Sequence, residues 1–152
     1  MGHISFRAVT RDNLRELVRL KVAEGQDDYV ASNLVSIAQA YVEPTWTPMG
    51  IYDGDTAVGF AMEGFDPDKN QWWIVRFMIG ADHQGTGYGT TALAALVASM
   101  AERHGCREVY LSYVPGNDVA ERMYAKAGFV PTGEVEEGEI VARRVLGDPS
   151  QP

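Results

Sequence analysis

The chain has 152 residues, of which 45% are hydrophobic and 22% are charged, a composition that predicts one ordinary globular domain and excludes a disordered chain. Acidic residues outnumber basic ones, 21 to 13, and the formal net charge is −8 at pH 7. Such a surface repels phosphate backbones, which argues against general nucleic-acid binding, whereas a cationic partner fits if the carboxylates cluster. The alternative is that the carboxylates only keep the surface soluble.

One cysteine, Cys106, is present, so the sequence excludes an intrachain disulfide and a metal cluster held by cysteines. This cysteine usage favours a cytoplasmic protein. Neither a signal peptide nor a membrane span of roughly 18 apolar residues is predicted, so we expect no association with a membrane. We expect residues 1–146 to form one domain and residues 147–152 to form a polar tail.

The first half of the chain predicts a strand, two helices and three antiparallel strands. The first helix is capped by Thr10 or Asp12 and ends before residue 24. Asp-Gly at residues 53–54 and Asp-Pro at residues 66–67 are typical of turns between antiparallel strands. The other predicted elements are strands over residues 3–9, 49–52, 56–65 and 72–79 and a second helix over residues 32–42.

The second half begins with a glycine-rich turn over residues 84–89 and continues with alternating helices and strands. A long helix follows the turn and is ended by Gly105, and Asn117 or Asp118 caps a shorter helix that ends at Gly128. Strands are predicted over residues 108–114, 129–135 and 139–146. The order β-α-α-β-β-β-α-β-α-β-β predicts an α/β protein with a mixed central sheet in one domain.

The glycine-rich turn lies between the most apolar strand and a helix, which is the geometry of an anion site. Backbone N–H groups at a helix start have no intrahelical partner, and glycines let the backbone approach a phosphate closely. A structural strand-to-helix turn would use glycine as well. The two common phosphate motifs do not match, because Walker A requires a lysine and the Rossmann spacing differs from Gly85-x-Gly87-x-Gly89.

Two motifs together indicate a family. The spacing Gln84-x-x-Gly87-x-Gly89 after an apolar strand resembles the acetyl-CoA pyrophosphate loop of the GNAT N-acetyltransferases. A later run is similar to the second cofactor motif of that family. Its matching residues are Asn117, Ala120, Tyr124, Gly128 and Phe129. The element order also agrees over nearly the whole chain, so the chain is identified as a member, which implies the GNAT fold and acetyl-CoA as co-substrate without a metal.

The resemblance implies that the strands near residues 71–79 and 108–114 splay apart and admit acetyl-CoA between them. Backbone groups on the splayed edge then pair with the pantetheine arm, and one N–H polarises the thioester carbonyl. The amide of Asn117 contacts the arm, and Arg122 or Lys126 assists at the phosphates. The cofactor-binding residues implied in this way are Phe77, Met78, Ile79, Gln84, Gly85, Thr86, Gly87, Tyr88, Gly89, Thr90, Asn117, Tyr124 and Lys126.

Tyr124 is the residue that the resemblance assigns to chemistry. In this family a tyrosine at the matching position protonates the departing CoA thiolate, and a phenol with a pKa of roughly 10 carries its proton at neutral pH. The alternative is that Tyr124 is a packed aromatic residue on an amphipathic helix. Transfer in the family is direct, so no nucleophile such as Cys106 is required.

The general base is less well defined by the sequence. Some relatives carry a carboxylate on the strand before the phosphate loop, facing the cleft. Strict alternation here places Trp73, Val75, Phe77 and Ile79 on one face and Trp72, Ile74, Arg76 and Met78 on the other, with no carboxylate on either. We predict Glu63 on the preceding strand as the substitute, directly or through water; the alternative is a solvated strand carboxylate.

Acidic and aromatic residues indicate the acceptor. The resemblance places the acceptor site at the first two helices and the last strand pair, where carboxylates and aromatic faces suit the ammonium groups and methylenes of a polyamine. The predicted substrate-binding residues are Glu24, Asp27, Asp28, Tyr41 and Glu43, and further carboxylates follow at Glu134, Glu136, Glu137 and Glu139. Residues 22–41 and 76–79 also resemble the bacterial spermine/spermidine acetyltransferases.

Other acceptors and another class of protein remain open. An aminoglycoside-like antibiotic or a protein amine would use the same co-substrate as a polyamine. A non-catalytic CoA-binding module is a different class, and it is compatible with the missing strand carboxylate. The resemblance is also compatible with a homodimer paired through the carboxy-terminal strands.

Overall fold

The computed structural model describes residues 2–26 and 31–147. Its elements follow the predicted order, with one additional turn of 3₁₀ helix at Ala81–His83. They are β1 (Ile4–Ala8), α1 (Leu14–Arg19), α2 (Asn33–Val42), β2 (Trp46–Asp53), β3 (Thr56–Asp66), β4 (Gln71–Ile79), α3 (Tyr88–His104), β5 (Glu108–Tyr113), α4 (Asp118–Lys126), β6 (Val130–Glu136) and β7 (Glu139–Val145). Within the described ranges, none of these helices is long and apolar enough to cross a membrane.

All seven strands form one mixed sheet in the order β1-β2-β3-β4-β5-β7-β6. Neighbouring strands are antiparallel except β4 and β5, which run parallel. The β4–β5 ladder contains only the pairs Trp72–Val109 and Trp73–Tyr110, whereas β3 follows β4 as far as Ile79. The two central strands therefore separate after their first residues, and the predicted split in the sheet is confirmed.

Helices cover both faces of the sheet. On one face, Leu93, Leu96, Val97 and Met100 of α3 pack into the main core, each at most 1% exposed. On the other face, Phe60, Met62 and Met78 form a second core beneath Leu20, Ile37 and Ala40. Each fully buried side chain of this size stabilises the fold by roughly 2 kcal/mol. The two cores hold the edges of the split on both sides.

A β-bulge in β4 changes which residues share a face. Met62 pairs with Arg76 and Glu63 pairs with Ile74, so Val75 is an extra residue in the ladder. As a result Ile74 and Phe77 both lie in the α3 core, while Val75 packs against the α2-side core. The alternation predicted for this strand is wrong before the bulge for this reason. The bulge lies just after the last β4–β5 pair, where the strands separate.

Helix ends agree with the predicted caps in α3 and α4 but not in α1, and α2 is capped by Ser32. Ser32 Oγ accepts a hydrogen bond from Val35 N, and Asn117 Oδ1 accepts one from Ala120 N. The first helix begins at Leu14 and ends at Arg19, so a cap at Thr10 or Asp12 is wrong and the helix stops earlier than predicted.

Asn33 explains why α1 ends early. Its buried amide donates from Nδ2 to the backbone oxygens of Leu17 and Leu20 at 2.8 and 3.2 Å, which satisfies carbonyls that a longer helix would have used. Val22 therefore lies beyond the helix, in the loop that approaches the split.

Candidate active site

A cavity of about 270 Å³ lies at the split, between the end of β4 and the starts of α3 and α4. Its walls are mainly apolar, and glycine backbone forms one end. The lining residues are Val22, Gln26, Phe77, Met78, Ile79, His83, Gln84, Gly85, Gly87, Gly89, Thr90, Asn117, Val119, Ala120, Met123 and Tyr124. The structure thus brings together most of the predicted cofactor residues. We call this space the cofactor cavity.

The end of β4 offers backbone groups to the cofactor cavity. Ala61–Phe77 and Phe60–Met78 pair on the β3 side, while the ladder to β5 has already ended at Trp73. Phe77, Met78 and Ile79 therefore have one edge without a strand partner, and that edge borders the cavity. An extended amide-bearing chain can pair there in place of β5.

Backbone geometry at the start of α3 suits an anion. Gly87 occupies the N-cap position with φ of 88°, and no side chain caps the helix. The N–H groups of the first turn have no intrahelical acceptors, so they are available to phosphate oxygens at the positive end of the helix dipole. A Cβ on Gly89 would stand 2.6 Å from Met123 Sδ, so glycine there allows α4 to approach α3 closely.

Gln84 ties the phosphate loop to its surroundings. Its Nε2 donates to Ile79 O at 2.9 Å and to Gln26 Oε1 at 3.0 Å. Gln26 in turn accepts from Ala23 N through the same oxygen. The side chain of Gln84 thus shapes the loop rather than reaching freely into the cavity. The link to Gln26 was not predicted, because no local spacing connects residues so far apart.

Three predicted cofactor residues direct their side chains elsewhere. Tyr88 donates its hydroxyl to Asp53 Oδ2 at 2.6 Å, and this bond raises the pKa of Tyr88 and lowers the pKa of Asp53. Thr86 donates to His83 O on the exposed side of the loop. Lys126 is exposed in the last turn of α4 and does not line the cavity. Only backbone groups of Tyr88 and Thr86 are placed to serve an anion.

Tyr124 closes the cavity on the α4 side. Its ring lies 5.8 Å from Tyr113 and 6.3 Å from Phe129, so it is packed as well as cavity-lining. Burial raises the pKa of Tyr124 to about 12, and the charge of Glu139 adds to the rise. Among the described residues its hydroxyl has no hydrogen-bond partner. The phenol is therefore protonated at neutral pH and free to donate to a bound molecule.

Glu63 is not at this cavity. Its carboxylate is 2% exposed and accepts two hydrogen bonds of 2.7 Å from the Arg103 guanidinium, with His104 Nε2 at 2.9 Å. Burial alone raises the pKa of Glu63, but the bonds from Arg103 and His104 outweigh it and hold the pKa below its ordinary value. Both oxygens accept hydrogen bonds from the end of α3, so the structure does not place this carboxylate for the predicted role as base.

A second cavity of about 370 Å³ opens on the α2 side of the same split. Five of its lining residues are carboxylates, contributed by the end of α2, the β3–β4 turn and the β6–β7 hairpin. They are Glu43, Asp66, Glu136, Glu137 and Glu139. Trp46, Trp73, Val75, Arg76 and Ser112 complete most of the wall. We call this space the acidic cavity.

The predicted acceptor residues are only partly brought together. Glu43 lines the acidic cavity, but Glu24 lies in a neighbouring depression beside Val22, and Tyr41 is 92% exposed and lines neither cavity. Asp27 and Asp28 lie outside the described residues. Asp66 was missed because its Asp-Pro sequence indicated only a turn. In residues 2–26 and 31–147, no His, Cys, Asp and Glu side chains form a group able to hold a metal ion.

Arg76 lines the acidic cavity at the bulge, one residue before Phe77 of the cofactor cavity. Its guanidinium donates to Val75 O and to Gln39 Oε1, both at 2.9 Å, and its buried Nε has no partner. Burial lowers the pKa of Arg76, and the nearby charge of Glu139 partly offsets this. The bulge thus carries a fixed positive charge beside the acidic wall.

Comparison with known proteins assigns the family. The sequence profile described as "Acetyltransferase (GNAT) family" matches residues 11–129, more than half of the chain. The chain belongs to the GNAT acetyltransferase family. The spermine/spermidine N(1)-acetyltransferase of Bacillus subtilis (strain 168) is 35% identical over 150 residues, covering 94% of this chain and 99% of that relative. The predicted membership and enzyme class are therefore confirmed.

Solved structures confirm the GNAT fold. A Vibrio cholerae spermidine N-acetyltransferase in complex with CoA and spermine superimposes with a TM-score of 0.72 at 18% identity, covering 92% of each chain. An aminoglycoside acetyltransferase in complex with coenzyme A superimposes with a TM-score of 0.77 at 20% identity, covering 94% of this chain and 95% of that one. At these identities the similarity concerns the fold.

Proposed function

We propose that this GNAT enzyme transfers the acetyl group of acetyl-CoA to a primary amine of a polyamine, in the class of spermidine and spermine. One observation carries the proposal: the apolar cofactor cavity and the acidic cavity are lined by consecutive stretches of β4, Phe77–Ile79 for the first and Trp73–Arg76 for the second. The Bacillus subtilis relative named for spermine and spermidine supports the acceptor class.

The residues of the cofactor cavity fit acetyl-CoA. The pantetheine arm carries amides that match the free edge of Phe77, Met78 and Ile79, and the pyrophosphate matches the N–H groups at the start of α3. Asn117 uses Oδ1 to cap α4, so its Nδ2 is left to donate to the arm. Positive side chains are not needed at the phosphates, which agrees with the exposed position of Lys126.

The acidic cavity fits an acceptor with several ammonium groups. A single exposed ion pair contributes about 0.2–1 kcal/mol, so one carboxylate selects weakly. Five carboxylates around one cavity act on several charges of the same chain, and Trp46 and Trp73 offer apolar faces to the methylenes between them. A monoamine would use only part of this surface.

Tyr124 supplies the proton that the thiolate needs. As the acceptor nitrogen bonds to the carbonyl carbon and the C–S bond breaks, the sulfur takes the phenolic proton of Tyr124. A backbone N–H on the free edge of β4 stabilises the charge that develops on the carbonyl oxygen. No acyl-enzyme is formed, and Cys106 takes no part because it lies at another surface depression beside Trp72 and His104.

Thiol release tests the proposal. Purified protein with acetyl-CoA is mixed separately with spermidine, an aminoglycoside, a peptide amine and a monoamine, and kcat/KM is compared. We expect spermidine or spermine to give the highest value. A higher kcat/KM for the aminoglycoside or the peptide amine would show that the acceptor belongs to that class and not to the polyamines. A rise in Tm with acetyl-CoA but no thiol release from any amine would indicate a CoA-binding module instead.

Two sequence predictions accompany the proposal and stay predictions. These are a cytoplasmic location, from the single cysteine, and a homodimer paired through the carboxy-terminal strands.

A further inference from the structure

An acceptor amine must lose two protons when its ammonium form becomes an amide. An alkylammonium has a pKa of about 10, so almost all of the acceptor is protonated at neutral pH. Tyr124 is a proton donor and cannot accept the first of these protons, and Glu63 is held by Arg103 and His104 away from both cavities. The split in the sheet therefore needs a proton acceptor on its acceptor side.

Strand pairing places Glu139 at that position. In β5, Val109, Leu111 and Tyr113 lie in the α3-side core, so Ser112 between them faces the other side of the sheet. There its Oγ donates to Glu139 Oε1 at 3.2 Å. Glu139 begins β7, one residue before Ile140, which pairs with Tyr113. Ser112 of β5, the strand that forms one edge of the split, thus orients the carboxylate of Glu139.

Glu139 also faces the groups that surround the reacting atoms. It lines the acidic cavity together with Val75 and Arg76 of the bulge, and the next residue, Phe77, lines the cofactor cavity. Its charge acts on Tyr124 across the split and on Arg76 beside it. The ring of Tyr113, next to Ser112, packs 5.8 Å from the ring of Tyr124. An amine between Glu139 and Tyr124 would therefore have an acceptor on one side and a donor on the other.

We propose that Glu139 is the general base of the transfer, held by Ser112 so that it takes a proton from the acceptor nitrogen. This inference rests on the proposed acetyl transfer to an amine. The other carboxylates of the acidic cavity, which lie on the α2 end, the β3–β4 turn and the hairpin tip, bind the remaining ammonium groups of the acceptor.

Each proton of the proposed transfer has a donor and an acceptor. Glu139 takes one proton from the ammonium group and releases it to solvent, which leaves a neutral amine. The nitrogen lone pair forms the C–N bond, Glu139 takes the second nitrogen proton, and the C–S electrons leave with sulfur. Tyr124 gives its proton to that sulfur and regains one from Glu139, directly or through solvent. The sum is one amide, one CoA thiol and one proton released to solvent.

Several charged and titratable groups surround Glu139. Arg76 lies beside it, Ser112 donates to it, and Tyr124 lies across the split. Glu43, Asp66, Glu136 and Glu137 share its cavity. A variant that only removes charge from the cavity must therefore be compared with a variant of Glu139. Glu137 is the control position, because it is an exposed carboxylate at the hairpin tip of the same cavity.

The test compares Glu139→Gln with Glu137→Gln, using acetyl-CoA and spermidine over a range of pH. General bases contribute roughly 10²- to 10⁴-fold, so we expect Glu139→Gln to lower kcat about 100-fold or more and to remove the acid limb of the kcat profile. Glu137→Gln should raise the spermidine KM while retaining that limb. A kcat for Glu139→Gln within about threefold of the wild type, with the acid limb intact, would overturn the proposal.

A second variant and a binding measurement guard against misfolding. Glu139→Ala removes the carboxylate entirely, and added formate should restore part of its kcat, which a loss of packing alone would not allow. If Glu139→Gln does not fold, failure of formate to restore Glu139→Ala overturns the proposal. The rise of Tm with acetyl-CoA should match the wild type in both variants, since neither touches the cofactor cavity.

Failure of this inference differs from failure of the proposed function. If the wild-type protein acetylates spermidine and Glu139→Gln does so equally well, only the role of Glu139 is lost. If the wild-type protein releases no thiol with any amine of the panel, the proposed function and the role of Glu139 both fall.

Discussion

The cofactor cavity and the acidic cavity are lined by consecutive stretches of β4 but are formed by different kinds of group. Backbone groups dominate the first: the free edge of β4, glycine-rich turns and the start of α3, all within about one stretch of chain. Side chains dominate the second, and they come from α2, the β3–β4 turn, β5 and the β6–β7 hairpin. The binding of CoA proposed for the first cavity therefore depends on local chain geometry. The acceptor selectivity proposed for the second depends on how distant elements pack.

The two cavities also differ in how easily a substitution can change them. A backbone site is changed only by altering glycine positions or strand pairing, each of which disturbs the fold. An acidic wall is changed by exchanging exposed side chains at little cost to stability, because surface substitutions usually change it by less than about 0.5 kcal/mol.

The largest expected effect is at Tyr124, in the wall of the cofactor cavity. Tyr124→Phe removes the proposed proton donor while keeping the ring that packs on Tyr113 and Phe129, so we expect kcat to fall roughly 100-fold or more. Steady-state kinetics should show the acetyl-CoA KM within about threefold of wild type. Tyr113→Phe is the matched control, since it removes a hydroxyl from the neighbouring ring, and it should keep most of the activity.

The pH dependence of the same residue gives a further check. Because the pKa of Tyr124 is raised to about 12, its phenol stays protonated through the usual assay range. An ordinary tyrosine with a pKa of roughly 10 would already lose part of its proton below pH 10 and produce a basic limb in the kcat profile. We expect no such limb below about pH 10 in this protein. A basic limb near pH 8 that disappears in Tyr124→Phe would contradict the raised pKa.

A large effect on stability, without an effect on chemistry, is expected at Glu63. Arg103→Ala leaves this buried carboxylate without its bidentate partner, which should lower the free energy of unfolding by about 3 kcal/mol. Chemical denaturation measures this, with Arg15→Ala on the surface of α1 as a control that should change little. Unchanged kcat for acetyl transfer at a temperature where the variant is folded would support the structural role.

The pH dependence of stability follows from the same ion pair. The pKa of Glu63 is lower in the folded protein than its ordinary value of 4.5, so the pair stabilises the fold above that value and this contribution is lost as the pH falls through the lowered value. Wild-type Tm should therefore drop on acidification more steeply than the Tm of Arg103→Ala. An equal fall of Tm with pH in the two proteins would show that the ion pair with Arg103 does not stabilise the fold.

Much of the fold and of the cofactor cavity could be predicted from the sequence because the signals are local. Gly87 and Gly105 mark the ends of α3, Asn117 caps α4, and the Asp-Gly turn joins β2 and β3. The spacing of the glycines places the phosphate loop without knowledge of any other strand. These features need only neighbouring residues.

The errors arose where the structure depends on distant pairing. The bulge at Val75 shifts the faces of β4, and only the register with β3 shows it. Glu63 was predicted as a base because it neighbours the cleft strand, but α3 turns Arg103 and His104 onto it from forty or more residues away. Asp66 and Glu139 enter one cavity only when β3, β4 and β7 are placed together. No pattern along the chain reports such contacts.

A moderate and specific effect is expected at the backbone site. Gly87→Ala forces a Cβ onto a residue with φ of 88°, which costs about 1–2 kcal/mol and displaces N–H groups at the start of α3. We expect the KM for acetyl-CoA to rise roughly tenfold, or about 1.4 kcal/mol, with the spermidine KM unchanged. Gly133→Ala carries similar strain at φ of 92° in β6, away from the cavity, and should lower Tm without changing either KM.

The smallest effect tests whether the acidic wall selects the acceptor at all. Glu43→Gln combined with Glu137→Gln removes two exposed carboxylates, each contributing about 0.2–1 kcal/mol, so the spermidine KM should rise between about 2- and 30-fold. The rise should shrink at high salt, because exposed charges are screened. It should also be smaller for a monoamine, which has no second ammonium group to hold. Glu134→Gln removes an exposed carboxylate from β6 outside the cavity, and an equal rise there would mean that net surface charge, not this wall, attracts the polyamine.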